Sequence, residues 1–112
     1  ELERLELSFN SLKIINIVIL SYLENLLYLR LDNNRLIELE NFDKLINLKH
    51  LFLGFNKIKL INKNLFKNLI NLEFLELNYN QISKIEWKAF ISLEKLVTLN
   101  LTENCLFKLD KG

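Results

Sequence analysis

Proline and methionine are absent from this 112-residue chain, glycine appears twice, and cysteine and histidine once each. A single cysteine, Cys105, can make no internal disulfide, and the paired-cysteine caps of many secreted repeat proteins are missing, so the redox compartment stays open. Missing too is any excess of charge, since 15 basic residues stand against 14 acidic ones for a formal +1. Nothing in that balance steers the chain toward nucleic acid or anionic lipid, and both are set aside as partners. The longest apolar run, Ile14 to Leu20, is broken by Asn16 and falls far short of the roughly 20 residues that span a bilayer, so no direct membrane insertion is expected. The chain opens on Glu1 with no basic n-region and no cleavage pattern, and is read as a piece of a longer protein. Scarce proline and glycine beside abundant Asn, Lys and Ile is the usage that an A+T-rich coding sequence produces, and it says nothing of function.

Half of the residues are apolar, enough for one ordered domain with a continuous core. They recur with a period. Alignment on Leu2, Leu26, Leu48, Leu72 and Leu96 gives successive intervals of 24, 22, 24 and 24 residues by subtraction. The first unit reads Leu2, Leu5, Leu7, Asn10, Leu12 and the second Leu26, Leu29, Leu31, Asn34, Leu36. Leu48, Leu51, Leu53, Asn56, Ile58 follow, then Leu72, Leu75, Leu77, Asn80, Ile82, and last Leu96, Leu99, Leu101, Asn104, Leu106.

This pattern resembles the leucine-rich repeat family, whose unit is LxxLxLxxNxL, over essentially the whole chain. The residues read alone agree. Leucines at the fourth and sixth positions alternate with polar or aromatic residues, the period of a half-buried strand, so each repeat supplies one short strand and successive strands lie parallel. The fold expected is an α/β repeat solenoid, a right-handed coil with a parallel concave sheet and an irregular or short-helical convex side. It forms a single array over 1–112 that lacks both caps. No repeat buries its leucines alone, so the core runs the length of the stack. A second apolar set (Ile15 and Leu23, Leu39 and Leu45, Ile61 and Leu69, Ile85 and Leu93, with Leu109 beginning the last) belongs to the return segments. Between its members stand Leu20, Phe42, Phe66 and Phe90, assigned as a convex spine. Asn10, Asn34, Asn56, Asn80 and Asn104 stand where the chain leaves the strand, and a column of amides there can satisfy backbone groups the turn would bury.

With the leucines inward, the third and fifth positions face out of the sheet. Down the third lie Arg4, Tyr28, His50, Phe74 and Thr98; down the fifth, Glu6, Arg30, Phe52, Glu76 and Asn100. Just past the strand come Phe55 and Tyr79. Tyr28, His50, Phe52, Phe55, Phe74 and Tyr79, flanked by Arg30 and Glu76, thus gather on one outward face although the core pattern asks for no aromatics there. Such a patch points to a protein partner, since aromatics and arginine dominate binding hot spots. The competing reading is that the rings stack on one another and only cover the sheet.

Catalysis and cofactors find no support. His50 has no Cys or His at metal-ligand spacing and no nucleophile beside it, so it reads as a surface contact and the chain as a non-enzyme without a cofactor. Cys105, next to the last asparagine, reads as a half-buried filler. Lys57, Lys59, Lys63 and Lys67 make a solvated face, while Ile17 and Val18 leave the first convex turn apolar. Neither end carries a polar cap, so fraying or self-association through the ends is expected.

Within the family resemblance, Leu65-Phe66 and Ala89-Phe90 in 24-residue units are similar to extracellular receptors and matrix proteins. The 22-residue second unit, with Leu39-Glu40-Asn41-Phe42, is similar to intracellular regulatory subunits. Asn100-Leu101-Thr102 is an N-glycosylation sequon, which would place a glycan on the concave sheet. The leading expectation is an interaction module of a cell-surface or secreted recognition protein. The alternatives are a cytoplasmic scaffold or phosphatase-type regulatory subunit, or the targeting domain of a larger enzyme.

Overall fold

A computed structural model describes residues 1–15, 17–40 and 42–106. Asn41 and Leu109 of the readings above lie outside them. The elements are β1 (Arg4–Glu6), α1 (Ile17–Leu20), β2 (Tyr28–Arg30), β3 (His50–Phe52), β4 (Leu60–Ile61), β5 (Phe74–Glu76), β6 (Lys84–Ile85) and β7 (Thr98–Asn100). Five of them form one parallel sheet in the order β1-β2-β3-β5-β7, one strand from each repeat. Its register carries the repeat into space, with Leu5, Leu29, Leu51, Leu75 and Leu99 aligned across it.

In β2, β3 and β5 the middle leucine is fully buried and its two neighbours half-buried, which is the alternation read from the sequence. Burying one leucine side chain completely contributes about 1.5 to 3 kcal/mol. Leu26, Leu48 and Leu72 at the first position and Leu31, Leu53 and Leu77 at the sixth are equally buried, so three adjacent repeats share one unbroken core. The outer strands gain less. Leu5 is half-buried, and Leu2 and Leu99 remain 47% and 37% exposed, because each outer strand has a repeat against only one side.

Each return segment closes by two consecutive turns hinged on the spine residue. Phe42 O accepts from Leu45 N at 3.0 Å and Leu45 O from Leu48 N at 3.1 Å, and the same pair of bonds recurs at Leu20, Phe66 and Phe90. The rings of Phe42, Phe66 and Phe90 lie nearly parallel at centroid spacings of 6.3 and 6.2 Å. Parallel strands stack at only about 4.8 Å. The spine side of the stack is therefore the longer one, and the five-stranded sheet must line the inside of the curve.

The convex side is mostly irregular, the single helical turn of α1 aside. It also holds what the periodicity did not predict, a two-stranded parallel sheet in which Leu60 pairs with Lys84 and Ile61 with Ile85. Ile61 and Ile85 occupy the same place in repeats of equal length, so two extended backbones meet in register there. A second departure concerns Cys105, expected to be half-buried and found exposed. Its N–H donates to Ile82 O at 2.9 Å while the neighbouring Leu106 takes the inward place, leaving the thiol outside.

The asparagine amides join one repeat to the next. Asn56 Oδ1 accepts from Leu36 N of the preceding repeat at 3.0 Å, and its Nδ2 donates to Leu31 O at 3.1 Å, Leu53 O at 3.0 Å and Gly54 O at 3.1 Å. Asn34, Asn80 and Asn104 repeat the arrangement toward Leu12, Ile58 and Ile82. Asn10 differs: it is exposed, and its amide donates to Ser8 O of its own repeat. Leaving a buried backbone group unpaired costs about 1 to 3 kcal/mol. Asn56→Ala is therefore expected to lower stability by about 2 kcal/mol or more, and Asn10→Ala by under about 1 kcal/mol. Denaturant midpoints of the two variants check this, and equal losses would contradict it.

Candidate functional site

The outward side chains of the sheet settle into two connected groups. On the strands, His50 lies at the centre of a stack: its ring is 4.6 Å from Phe74 at an interplanar angle of 9°, and 5.6 Å from Tyr28 at 39°. Phe52, two residues further along the same strand as His50, is 5.2 Å from Tyr28 and 6.3 Å from His50. At the turn edge, Phe55 and Tyr79 stack at 4.6 Å and 5°, each nearly half exposed. A hollow of about 310 Å³ joins the groups, and Phe52, Phe55, Arg30, Asp32, Glu76 and Asn78 are among the residues that line it. Gly54 also lines it, and an added Cβ there would stand 2.6 Å from Asn78 Oδ1, so no larger residue fits without displacing that amide.

The residues singled out from the sequence thus share one face, and the rings do stack on one another. Stacking and availability coexist: Tyr28, His50, Phe52 and Phe74 remain half-buried, each keeping surface open to solvent. The pairs contribute about 0.5 to 1.5 kcal/mol each beyond their buried area.

Three participants, Arg4, Asp32 and Phe9, were not among the residues singled out for the face. Arg4 places its guanidinium 3.7 Å over the Tyr28 ring and pairs with Glu6 at 2.9 Å. Arg30 lies 5.0 Å over Phe52 and grips Asp32 through two hydrogen bonds, Nε to Oδ1 at 3.0 Å and Nη2 to Oδ2 at 2.9 Å. Asp32 also accepts from Ser8 Oγ at 2.7 Å and from Asn33 Nδ2 at 3.1 Å. The available signal was the i, i+2 spacing of Arg4 with Glu6 and Arg30 with Asp32, which puts each pair on the same side of its strand. Phe9 is the third. It is 76% exposed at the head of the turn edge and borders the hollow beside Phe55.

The turn-edge rings are held by an unusual backbone. Phe9, Asn33, Phe55, Tyr79 and Glu103, all at the eighth position, have φ of 59°, 58°, 56°, 55° and 57°. Each of the first four donates its N–H to the seventh-position carbonyl of the next repeat, from 2.8 Å for Tyr79 to 3.3 Å for Phe9. Asparagine tolerates this left-handed conformation, whereas a ring there costs on the order of 1 kcal/mol. The chain carries aromatics where its backbone disfavours them.

Burial pushes the Asp32 carboxyl up, but the hydrogen bonds from Arg30, Ser8 and Asn33 outweigh it and hold the pKa below its ordinary 3.8. The bond to Asp32 likewise raises the Arg30 guanidinium above its ordinary range. A depressed folded pKa adds stability that is present above the unfolded value and is lost as pH falls through the folded one. Asp32→Asn should therefore be less stable than the parent near neutral pH, with the gap closing only below 3.8. Thermal unfolding across that range tests it; a gap that is constant down to strong acid would show that the charge contributes nothing.

Among the described residues no group of three or more His, Cys, Asp or Glu could hold a metal ion, and no helix is long and apolar enough to cross a membrane. Lys57, Lys59, Lys63 and Lys67 are all exposed, and none lies on a strand of the five-stranded sheet. Asn100 turns its Oδ1 onto Thr102 N at 3.0 Å and Thr102 Oγ1 at 2.6 Å.

A family model described as leucine rich repeat matches residues 37–82 and 71–112. The solved structure of TLR13 in complex with ssRNA13 is similar over 96% of this chain, at 32% identity and a TM-score of 0.83. The matching region is 18% of that chain, so this sequence spans about a fifth of it. No curated protein matches.

Proposed function

The chain belongs to the leucine-rich repeat family, and from that premise we propose that it is a non-catalytic recognition module that captures a protein partner on the concave sheet. Its place is in a receptor-type protein, at the cell surface or secreted. The observation that carries the reading is the aromatic face itself: Tyr28, His50, Phe52 and Phe74 on the strands, with Phe55 and Tyr79 at the turn edge and Arg30 and Glu76 beside them. Leucine-rich repeats as a class are binding modules, and the likeness to the TLR13 chain supports the receptor setting. The shorter second repeat supports a cytoplasmic scaffold as the alternative setting, in which the same face would serve.

One observation favours a second ligand class. The TLR13 structure holds ssRNA13, and flat aromatics with arginine are the surface that single strands stack upon. Electrostatics here weigh against it. Arg4 and Arg30 are both engaged by carboxylates, at 2.9 Å in each case, and the chain has a net charge of only +1, so among the described residues no free cationic track follows the sheet.

Truncating a ring at a true interface costs about 2 kcal/mol or more. Phe52→Ala and Phe74→Ala are each expected to weaken a captured partner by that amount. Lys63→Ala and Lys67→Ala should change affinity by under about 0.5 kcal/mol. Folding should lose only the stacking contribution, about 0.5 to 1.5 kcal/mol. Titration calorimetry of the four variants, with a single-stranded RNA run in parallel, decides the matter. Binding that survives both ring variants and fails in the lysine variants would move the site to the convex side, and tight, salt-sensitive RNA binding would replace the protein partner.

A further inference from the structure

Planar groups follow one another down the third position of the repeat. The Arg4 guanidinium covers Tyr28, Tyr28 adjoins His50, and His50 stacks on Phe74. The next residue in register is Thr98, exposed and too short to cover a phenyl ring. His50 occupies one face of Phe74, and among the described residues no other ring lies against it.

The fifth position adds charge. Twice in the first two repeats a guanidinium lies on the ring of the next repeat while a carboxylate two residues along its own chain answers its charge: Arg4 with Tyr28 and Glu6, Arg30 with Phe52 and Asp32. In the fourth repeat a ring and a carboxylate share one strand, Phe74 and Glu76 two residues apart on β5, an arrangement unlike those two, and among the described residues neither has a cation against it. Glu76 is half-buried on β5, and its carboxylate has no hydrogen bond or ion pair among the described residues. Its neighbour in register, Asn100, directs its carbonyl oxygen to Thr102 instead.

We propose that the strip bounded by Phe74, Glu76, Thr98 and Asn100 seats an arginine side chain of the protein partner. Its guanidinium stacks on the open face of Phe74 and donates to the Glu76 carboxylate. The proposal rests on the concave-face reading above and names the chemistry that face selects. Arginine fits better than lysine because only a planar fork can stack on a ring and donate two parallel hydrogen bonds to one carboxylate. A free carboxylate beside an uncovered ring also gives the charge complementarity that fixes the register of a docking partner.

The probe is the blocked tripeptide acetyl-Gly-Arg-Gly-amide, titrated into the 112-residue chain and followed by amide chemical shifts. Its lysine and citrulline counterparts and guanosine 5′-monophosphate serve as comparisons. Saturable shifts at Phe74, Glu76 and Thr98 are expected with arginine. They should weaken about fivefold or more in Glu76→Gln, and as much with citrulline, which keeps the shape and loses the charge. Thr98→Tyr, a good strand residue at an exposed place, should complete the stack and abolish the shifts while leaving the fold intact. The seat is overturned by shifts that map elsewhere or never saturate, by an equal response to citrulline, or by indifference to Glu76→Gln. Shifts with the nucleotide alone would overturn it in favour of a base. With a captured partner, loss of binding in Phe74→Ala but not in Glu76→Gln keeps the concave face and removes the arginine seat. Indifference to both, with Phe52→Ala also silent, removes the two together.

Discussion

The side-chain amide of the ninth-position asparagine is the bond on which the rest of this molecule depends. A chain that leaves a strand and bends into its own core carries peptide groups into a place water cannot reach, and those groups need partners. Asn56 meets the need for two repeats at once, accepting from Leu36 N and donating to Leu31 O and Leu53 O. Because each amide spans a boundary, the leucines of adjacent repeats are held in one register, and so are all the outward side chains. The sheet, its curvature and the alignment of rings across it follow from that connection.

Alignment turns isolated aromatics into a surface. With Tyr28, His50 and Phe74 in register, each ring finds the next at stacking distance, and the same register sets Arg4 over Tyr28 and Arg30 over Phe52. The turn edge works against a steeper backbone preference. Phe55 and Tyr79 adopt a φ that asparagine accepts and large side chains resist, and their mutual stacking offsets part of that cost. Stability alone would favour residues like Asn33 at both places. Rings held there and left half exposed are what the proposed recognition face would need.

Polarity along the array adds direction to the face. Its arginines lie in the first two repeats, each already neutralised, while the carboxylate of Glu76 lies in the fourth with no ion pair among the described residues. A ligand meeting this surface would find rings throughout and unanswered charge at one end. Under the proposed reading, that asymmetry would orient a partner along the sheet in a way that a uniform aromatic patch could not.

Much of this was legible in the sequence, because strand alternation and the 24-residue spacing are local properties: they name the buried leucines, the asparagine column, the spine of Phe42, Phe66 and Phe90, and which residues face outward. The gathering of Tyr28, Phe52 and Phe74 on one face follows from the same spacing. What the spacing leaves open is which neighbours meet, since that depends on lateral register and rotamer. Only the folded stack decided that Arg30 would grip Asp32 while lying on Phe52, that Gly54 would line a hollow against Asn78, and that Cys105 would turn outward as Leu106 went in. The pairing of Ile61 with Ile85 on the convex side belongs to the same class. Which face a residue takes is dictated by its own repeat, and its burial and contacts by the repeats beside it; the first is written along the chain, and the second exists only when the repeats are stacked.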